Sequence, residues 1–211
     1  MKVAVLSESS ADEAAIRILV EGVLSKPTQL VLPSSFRSRG GIDSVFKILP
    51  RALKELHYHT DADALVVVVD SDHSPVHQVI HEQPGGAEQN CRLCRLGQTI
   101  TDVQENLTPV PGHSSVKTAI GVAVPAIEAW YLCGRNPQVS EAAWINGLQS
   151  AIEPYTRLQL KRDVYGTERP SLALETECAV MEAQRLAQDL SRIEKRFPNG
   201  FGSLARALRS W

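Results

Sequence analysis

The chemistry in this chain gathers in two places. The first is acidic: "VVVVDSD" ends an apolar run in Asp70 with Asp72 two residues on, and "KVAVLSE" ends a shorter apolar run in Glu8. Carboxylates crowded within a few ångströms raise one another's pKa unless a cation neutralises them. An all-oxygen set, with no Cys or His at the same spacing, suits Mg²⁺ or Mn²⁺, ions that keep several waters and bind phosphate oxygens. Phosphoryl chemistry is the natural inference. A single Asp in such a place can equally cap a helix or open a turn; the pair together with Glu8 favours a metal.

The second is nitrogen and sulfur. "HSPVHQVIHEQPGGAEQNCRLC" sets His73, His77 and His81 at steps of four, then Cys91 and Cys94 as a C-x₂-C. On a helix, residues four apart share a face, so two histidines and the cysteine pair can close a tetrahedral structural zinc site. His77, His81, Cys91 and Cys94 are the most economical set. A polar segment with little apolar content needs a source of order other than a core, and a metal supplies one. The alternatives are a solvated histidine face and two unrelated thiols. His73 and His113 can instead serve the acidic group, whereas Cys133 and Cys178 sit among apolar residues and read as buried thiols.

The elements that must position these groups are legible in the patterning. Residues 1–7 read as a strand. Residues 10–26 follow as a helix, with Ser10 as its cap and Asp12 and Glu13 in its first turn, where the helix dipole favours acids. "TQLVLPS" is a second strand, and residues 42–59 a second helix that Pro50 kinks or breaks. "ALVVVVD" is apolar without alternation, the habit of a central strand in a parallel α/β sheet buried on both faces. Residues 74–116 read as a partly helical insertion. "TAIGVAVP" resumes the sheet, and Pro125 opens a helix carrying Glu128. Residues 144–169 are weakly patterned. Residues 171–197 have the spacing of one long helix, within a helical C-terminal part over 171–211. The expectation is a single α/β domain with an open, mainly parallel sheet flanked by helices. In such sheets ligands bind outside the carboxyl ends of the strands, which places Glu8, Asp70 and Asp72 on one rim.

A strand ending in Glu8, an acid four residues later at Asp12, and a later strand ending in Asp70-x-Asp72 resemble the Toprim domain of topoisomerases, bacterial primases and OLD-type nucleases. The "VAVPAIEAWYLCG" segment and the closing "FGSLARALRSW" are similar to small stand-alone Toprim-like proteins encoded beside ABC-type ATPases in phage-defence loci. The resemblance touches both ends and the middle but not residues 74–116. It implies a metal-dependent nuclease acting on DNA or RNA, tRNA included, as a toxic effector with an ABC-type ATPase partner. It assigns Glu8 to acid/base work or metal binding, Asp70 and Asp72 to Mg²⁺ or Mn²⁺, and Asp12 and Glu128 to supplementary roles. Lys117, before the strand that leads to Glu128, is then a candidate phosphate-holding cation. The glycine that usually follows the first glutamate is Ser9 here, which implies a shifted loop or a weaker site.

Composition is compatible with this and narrows it. The 211 residues are 43% apolar and 22% charged, with a net charge of −2 and four cysteines. No run approaches the roughly 18 apolar residues of a membrane span, and "MKVAVLSESS" lacks the pattern of a secretory signal. Both point to a cytoplasmic protein without membrane contact. A disulfide framework is not expected there. Bulk charge predicts no nucleic-acid partner, so backbone contacts must come from local patches: Arg37 and Arg39 in "SFRSRGG", and Arg157, Lys161, Arg162 and Arg169 in "RLQLKRDVYGTERP". A homodimer is compatible with these features. Two other classes compete: a catalytically degenerate, zinc-stabilised Toprim module that binds a partner or nucleic acid, and an Asp-x-Asp nucleotide-sugar transferase or phosphatase. The phosphatase usually carries that motif in its first strand, and here it lies in the third.

Overall fold

Strand β3 (Ala64–Asp70) is buried at all seven positions, because it lies inside the sheet with helices on both faces. The computed structural model describes residues 1–37 and 40–211, the side chain of Arg37 excepted. The basic loop expected from Arg37 and Arg39 therefore falls outside the described residues. β1 (Lys2–Leu6), β2 (Gln29–Leu30) and β4 (Lys117–Ala123) complete a four-stranded, all-parallel sheet of order β2-β1-β3-β4. Leu6 pairs with Val67, and Asp70 with Ala123, so β1, β3 and β4 end at one edge. The second strand forms over only two residues of the expected "TQLVLPS".

Side chains alternate across a strand, and the two cores follow that alternation. Val3, Val5, Ala64, Val66 and Val68 face one layer, with α1 (Ser10–Leu24), α7 (Leu172–Ala187) and α9 (Phe201–Arg209). Ala4, Leu6, Leu65, Val67 and Val69 face the other, with α2 (Gly41–His59) and α3 (Arg92–Glu105). Gly121 of β4 lets α9 lie close, since a Cβ there would stand 3.1 Å from Leu204 and 3.3 Å from Trp130. No helix among the described residues is long and apolar enough to cross a membrane.

Three expectations need correction. α2 runs unbroken through Pro50, because Leu49, Ala52, Leu53 and Leu56 are buried against the sheet and packing outweighs the lost backbone hydrogen bond. The long C-terminal helix is two: α7 stops at Ala187, and Asp189 caps α8 (Leu190–Arg196) by accepting from the Arg192 amide. Residues 74–116 are partly helical as expected, and their helix α3, between β3 and β4 in chain order, buries Leu96, Ile100 and Val103. Finally, His73, His77 and His81 share no helix. The chain around His73 and His77 is irregular, and His81 lies in a 3₁₀ turn over Val79–Glu82. The weakly patterned region holds α5 (Glu141–Ser150) and α6 (Arg157–Tyr165), after the short α4 (Ile127–Tyr131).

Candidate metal centres

The carboxyl end of the sheet carries the acids. Glu8 lies two residues beyond β1, and its Oε1 accepts the Asp70 amide at 3.0 Å, so neighbouring parallel strands bring the two together. Asp70 Oδ1 in turn accepts the Ile127 amide at 2.9 Å, tying β3 to the segment after β4. The amides of Ser71 and Asp72 donate to the carbonyls of Ala123 (2.7 Å) and Pro125 (2.8 Å). Held in this way, Asp72 takes a left-handed backbone with φ of 45°. Asp tolerates that region better than most residues, and such outliers cluster at functional sites.

Two guanidinium groups close on these acids. Arg157, the first residue of α6, pairs with both Asp70 and Asp72. Arg92, the first residue of α3, donates to the Asp70 carbonyl, to Asp72 Oδ2 at 2.8 Å, and lies 3.8 Å from Glu8 Oε1. Burial pushes Glu8 above the usual carboxylate range despite the hydrogen bond from Asp70 and the charge of Arg92. It pushes Asp70 well above that range, and repulsion from Glu128, Glu8 and Asp12 adds to this against Arg157.

A second acidic group lies beside the first. Burial raises Asp12 to about 7, with repulsion from Glu128, Glu175 and Glu8 adding to it. Glu128 is raised by burial too, and its Oε2 is buried without a hydrogen-bond partner among the described residues. Lys161 turns inward to this group, 3.9 Å from Glu128 and 3.5 Å from Glu175. Arg162 instead points away and pairs with Glu168. The two do not form one outward basic patch.

Ser9, and not Ser10, caps α1 and joins the first group to the second. Its Oγ accepts the Asp12 amide at 3.2 Å and donates to Asp12 Oδ2 at 2.8 Å. With φ of −141° and ψ of 157°, its extended backbone needs no glycine, and the loop carries no strain from the serine. Ser9→Ala is expected to lower stability by about 1 kcal/mol, read as a melting temperature down by about 2–4 °C. An unchanged melting temperature would remove the cap from the account.

Lys117 is not part of this site. It opens β4 opposite Ala64, and at about 3.3 Å per residue that is roughly 20 Å from the acidic edge. Its Nζ donates to the Trp211 carbonyl at 2.7 Å. Sequence order placed it near Glu128; the strand between them reverses that. His73 also turns aside, 3.7 Å from Glu153.

The residues that sequence reading missed at the acidic edge are Arg92 and Glu175, while Arg157 was read as part of a backbone-contacting basic patch and not as a partner of Asp70 and Asp72. The position of Arg92, directly after Cys91 in the C-x₂-C, was the available signal.

His77, His81, Cys91 and Cys94 do converge, though from irregular chain and the start of α3 rather than from one helix. Their ligand atoms all lie within 4.8 Å of one another, and the group can hold a metal ion. Cys91 and His77 are buried, with Cys94 and His81 half-buried. Burial lowers the His77 pKa, favouring the neutral imidazole that binds metals, and pushes Cys91 up to about 11. All four cysteines are free thiols.

No protein-family model matches this chain, and no curated protein and no solved structure matches it either.

Proposed function

We propose that the chain is a Toprim-type nuclease that hydrolyses phosphodiesters with Mg²⁺ or Mn²⁺. The observation that carries this reading is the convergence of Glu8, Asp70 and Asp72 from adjacent parallel strands, with two arginines upon them. The donors fit a hard divalent ion: all are oxygens, several are raised by burial and mutual repulsion, and Glu128 Oε2 is orphaned beside them. Asp70 and Asp72 would hold such an ion, with Asp12 and Glu128 in support. When bound it would supply charge neutralisation on the phosphate and a more acidic water.

The chain's own residues do the rest. Arg157 and Arg92 present planar guanidinium forks that match phosphate oxygens in two-point contact. Glu8, with Oε1 committed to the Asp70 amide, keeps Oε2 for proton exchange with water or a leaving oxygen, and burial raises its pKa in the direction that role needs. Lys161 holds the charge balance of Glu128 and Glu175. A nucleic-acid substrate, an ABC-type ATPase partner, an effector role in phage defence and a cytoplasmic setting follow from the resemblance. The His/Cys group, by its ligand set, takes structural zinc.

One observation favours a second reading, a degenerate module that binds without cleaving: Arg157 already spans Asp70 and Asp72. Incubating the protein with plasmid DNA and with total tRNA in Mg²⁺ or Mn²⁺, with and without a co-encoded ATPase, separates the two. Cleavage that stops on adding a chelator is expected. Intact nucleic acid under every condition favours the binding module.

A further inference from the structure

The His/Cys group and the acidic edge are joined by one peptide bond. Cys91 caps α3, and Arg92 begins it with its guanidinium on Asp70, Asp72 and Glu8. At the other end of the segment, His77 follows Asp72 by five residues. Between them, Val79 and Ile80 are largely exposed, so little apolar burial holds this stretch in place.

The ligand spacing is that of a coordination sphere. Cys91 and Cys94 Sγ lie 3.6 Å from His77 Nδ1, and Cys94 Sγ lies 3.7 Å from His81 Nδ1. A tetrahedral zinc with bonds of about 2.3 Å to sulfur and about 2.0–2.1 Å to nitrogen has a sulfur–nitrogen edge of about 3.5 Å. Paired hydrogen bonds do not account for the set, because His77 Nδ1 offers one lone pair or one N–H and faces two sulfurs. His77 Nε2 stands 3.3 Å from Glu82 Oε1. That carboxylate accepts an Nε2 proton and leaves the Nδ1 lone pair toward the sulfurs, the outer partner that metal-binding histidines commonly have.

We propose that a zinc ion held by His77, His81, Cys91 and Cys94 is the fastening that seats Arg92, so that occupancy of this site sets the geometry of the β3 exit at Asp70 and Asp72. Arg92 is a positioning residue in this role. The inference rests on the zinc reading and not on phosphodiester cleavage.

The test combines zinc analysis by mass spectrometry with peptide-level hydrogen exchange of the full chain. Wild type is expected to carry one zinc per chain. Cys94→Ser is expected to lose it, with exchange across residues 68–74 at least tenfold faster although that segment contains no ligand. Arg92→Gln is expected to keep its zinc and the protection of α3 yet show the faster exchange at 68–74, and Arg92→Lys to restore part of it. Zinc-free wild type with a protected α3 overturns both the zinc site and the fastening. Zinc-replete Arg92→Gln with wild-type exchange at 68–74 overturns the fastening alone, and does so even where Cys94→Ser fails to fold.

Discussion

Asp70→Asn is expected to lower metal-dependent cleavage by about 10³-fold or more while leaving the protein folded. The substitution changes charge and almost nothing else. An asparagine Oδ1 still accepts the Ile127 amide that Asp70 holds at 2.9 Å, so the tie between β3 and the segment after β4 survives. What goes is the carboxylate at the crossing point of Glu8, Asp72 and Arg157. Relief of the repulsion that raises Asp70 offsets the lost pairing with Arg157, and the melting temperature in chelator is expected to stay level or rise. Single-turnover rates in Mn²⁺ together with thermal melts measure both. A variant that cuts within tenfold of wild type sinks the assignment of this edge as the cleavage site.

In the absence of divalent ions, stability is expected to fall as pH rises from about 5 to about 8, and added Mg²⁺ is expected to restore it. Asp12 is raised from 3.8 to about 7, so across this window the folded protein keeps a proton that the unfolded chain has given up. Folding then loses free energy as pH rises. The stabilisation is fully present below about 4 and is gone above about 7, on the order of 4 kcal/mol at most for Asp12 alone. Glu8, Asp70 and Glu128 are raised in the same direction. His77, lowered by burial from its ordinary 6.5, gives the opposite slope below about 6.5, within this window, and so works against the fall. A divalent ion binds the deprotonated carboxylates and stabilises by about 2.7 kcal/mol at a hundred times its dissociation constant. Melting temperatures across pH with chelator or Mg²⁺ are the measurement, and Asp12→Asn is expected to flatten the chelator curve. A curve flat from pH 5 to 8, or indifferent to Mg²⁺, contradicts the crowded-acid account.

What could be read from sequence followed from short-range rules. Unbroken apolarity in "ALVVVVD" announced a strand buried on both faces, and the order of strands and helices put Glu8 with Asp70 and Asp72. The four zinc candidates came from residue type and spacing, but for the wrong local reason, since the histidines lie on irregular chain and a 3₁₀ turn and not on one helix face. Misreadings arose where distant parts decide. Lys117 is near Glu128 in sequence and at the opposite end of β4 in space. Pro50 was read as a kink or a break because its local penalty is visible, and the packing that carries α2 through it unbroken is not. Arg92 and Arg157 reach the acids from 20 or more residues away, and no periodicity carries that information.

The two arginines come from opposite faces of the sheet. α3 packs through Leu96 and Ile100 into one core, and α6 through Leu160 and Val164 into the other. Asp72 is thus gripped as between the jaws of a caliper, one jaw mounted on each layer. Coulomb energy between close charges changes steeply with distance, so a slide of either layer by an ångström redistributes positive charge at Asp70 and Asp72. Arg92 and Arg157 thus answer to different layers, and each layer holds one side of Asp72.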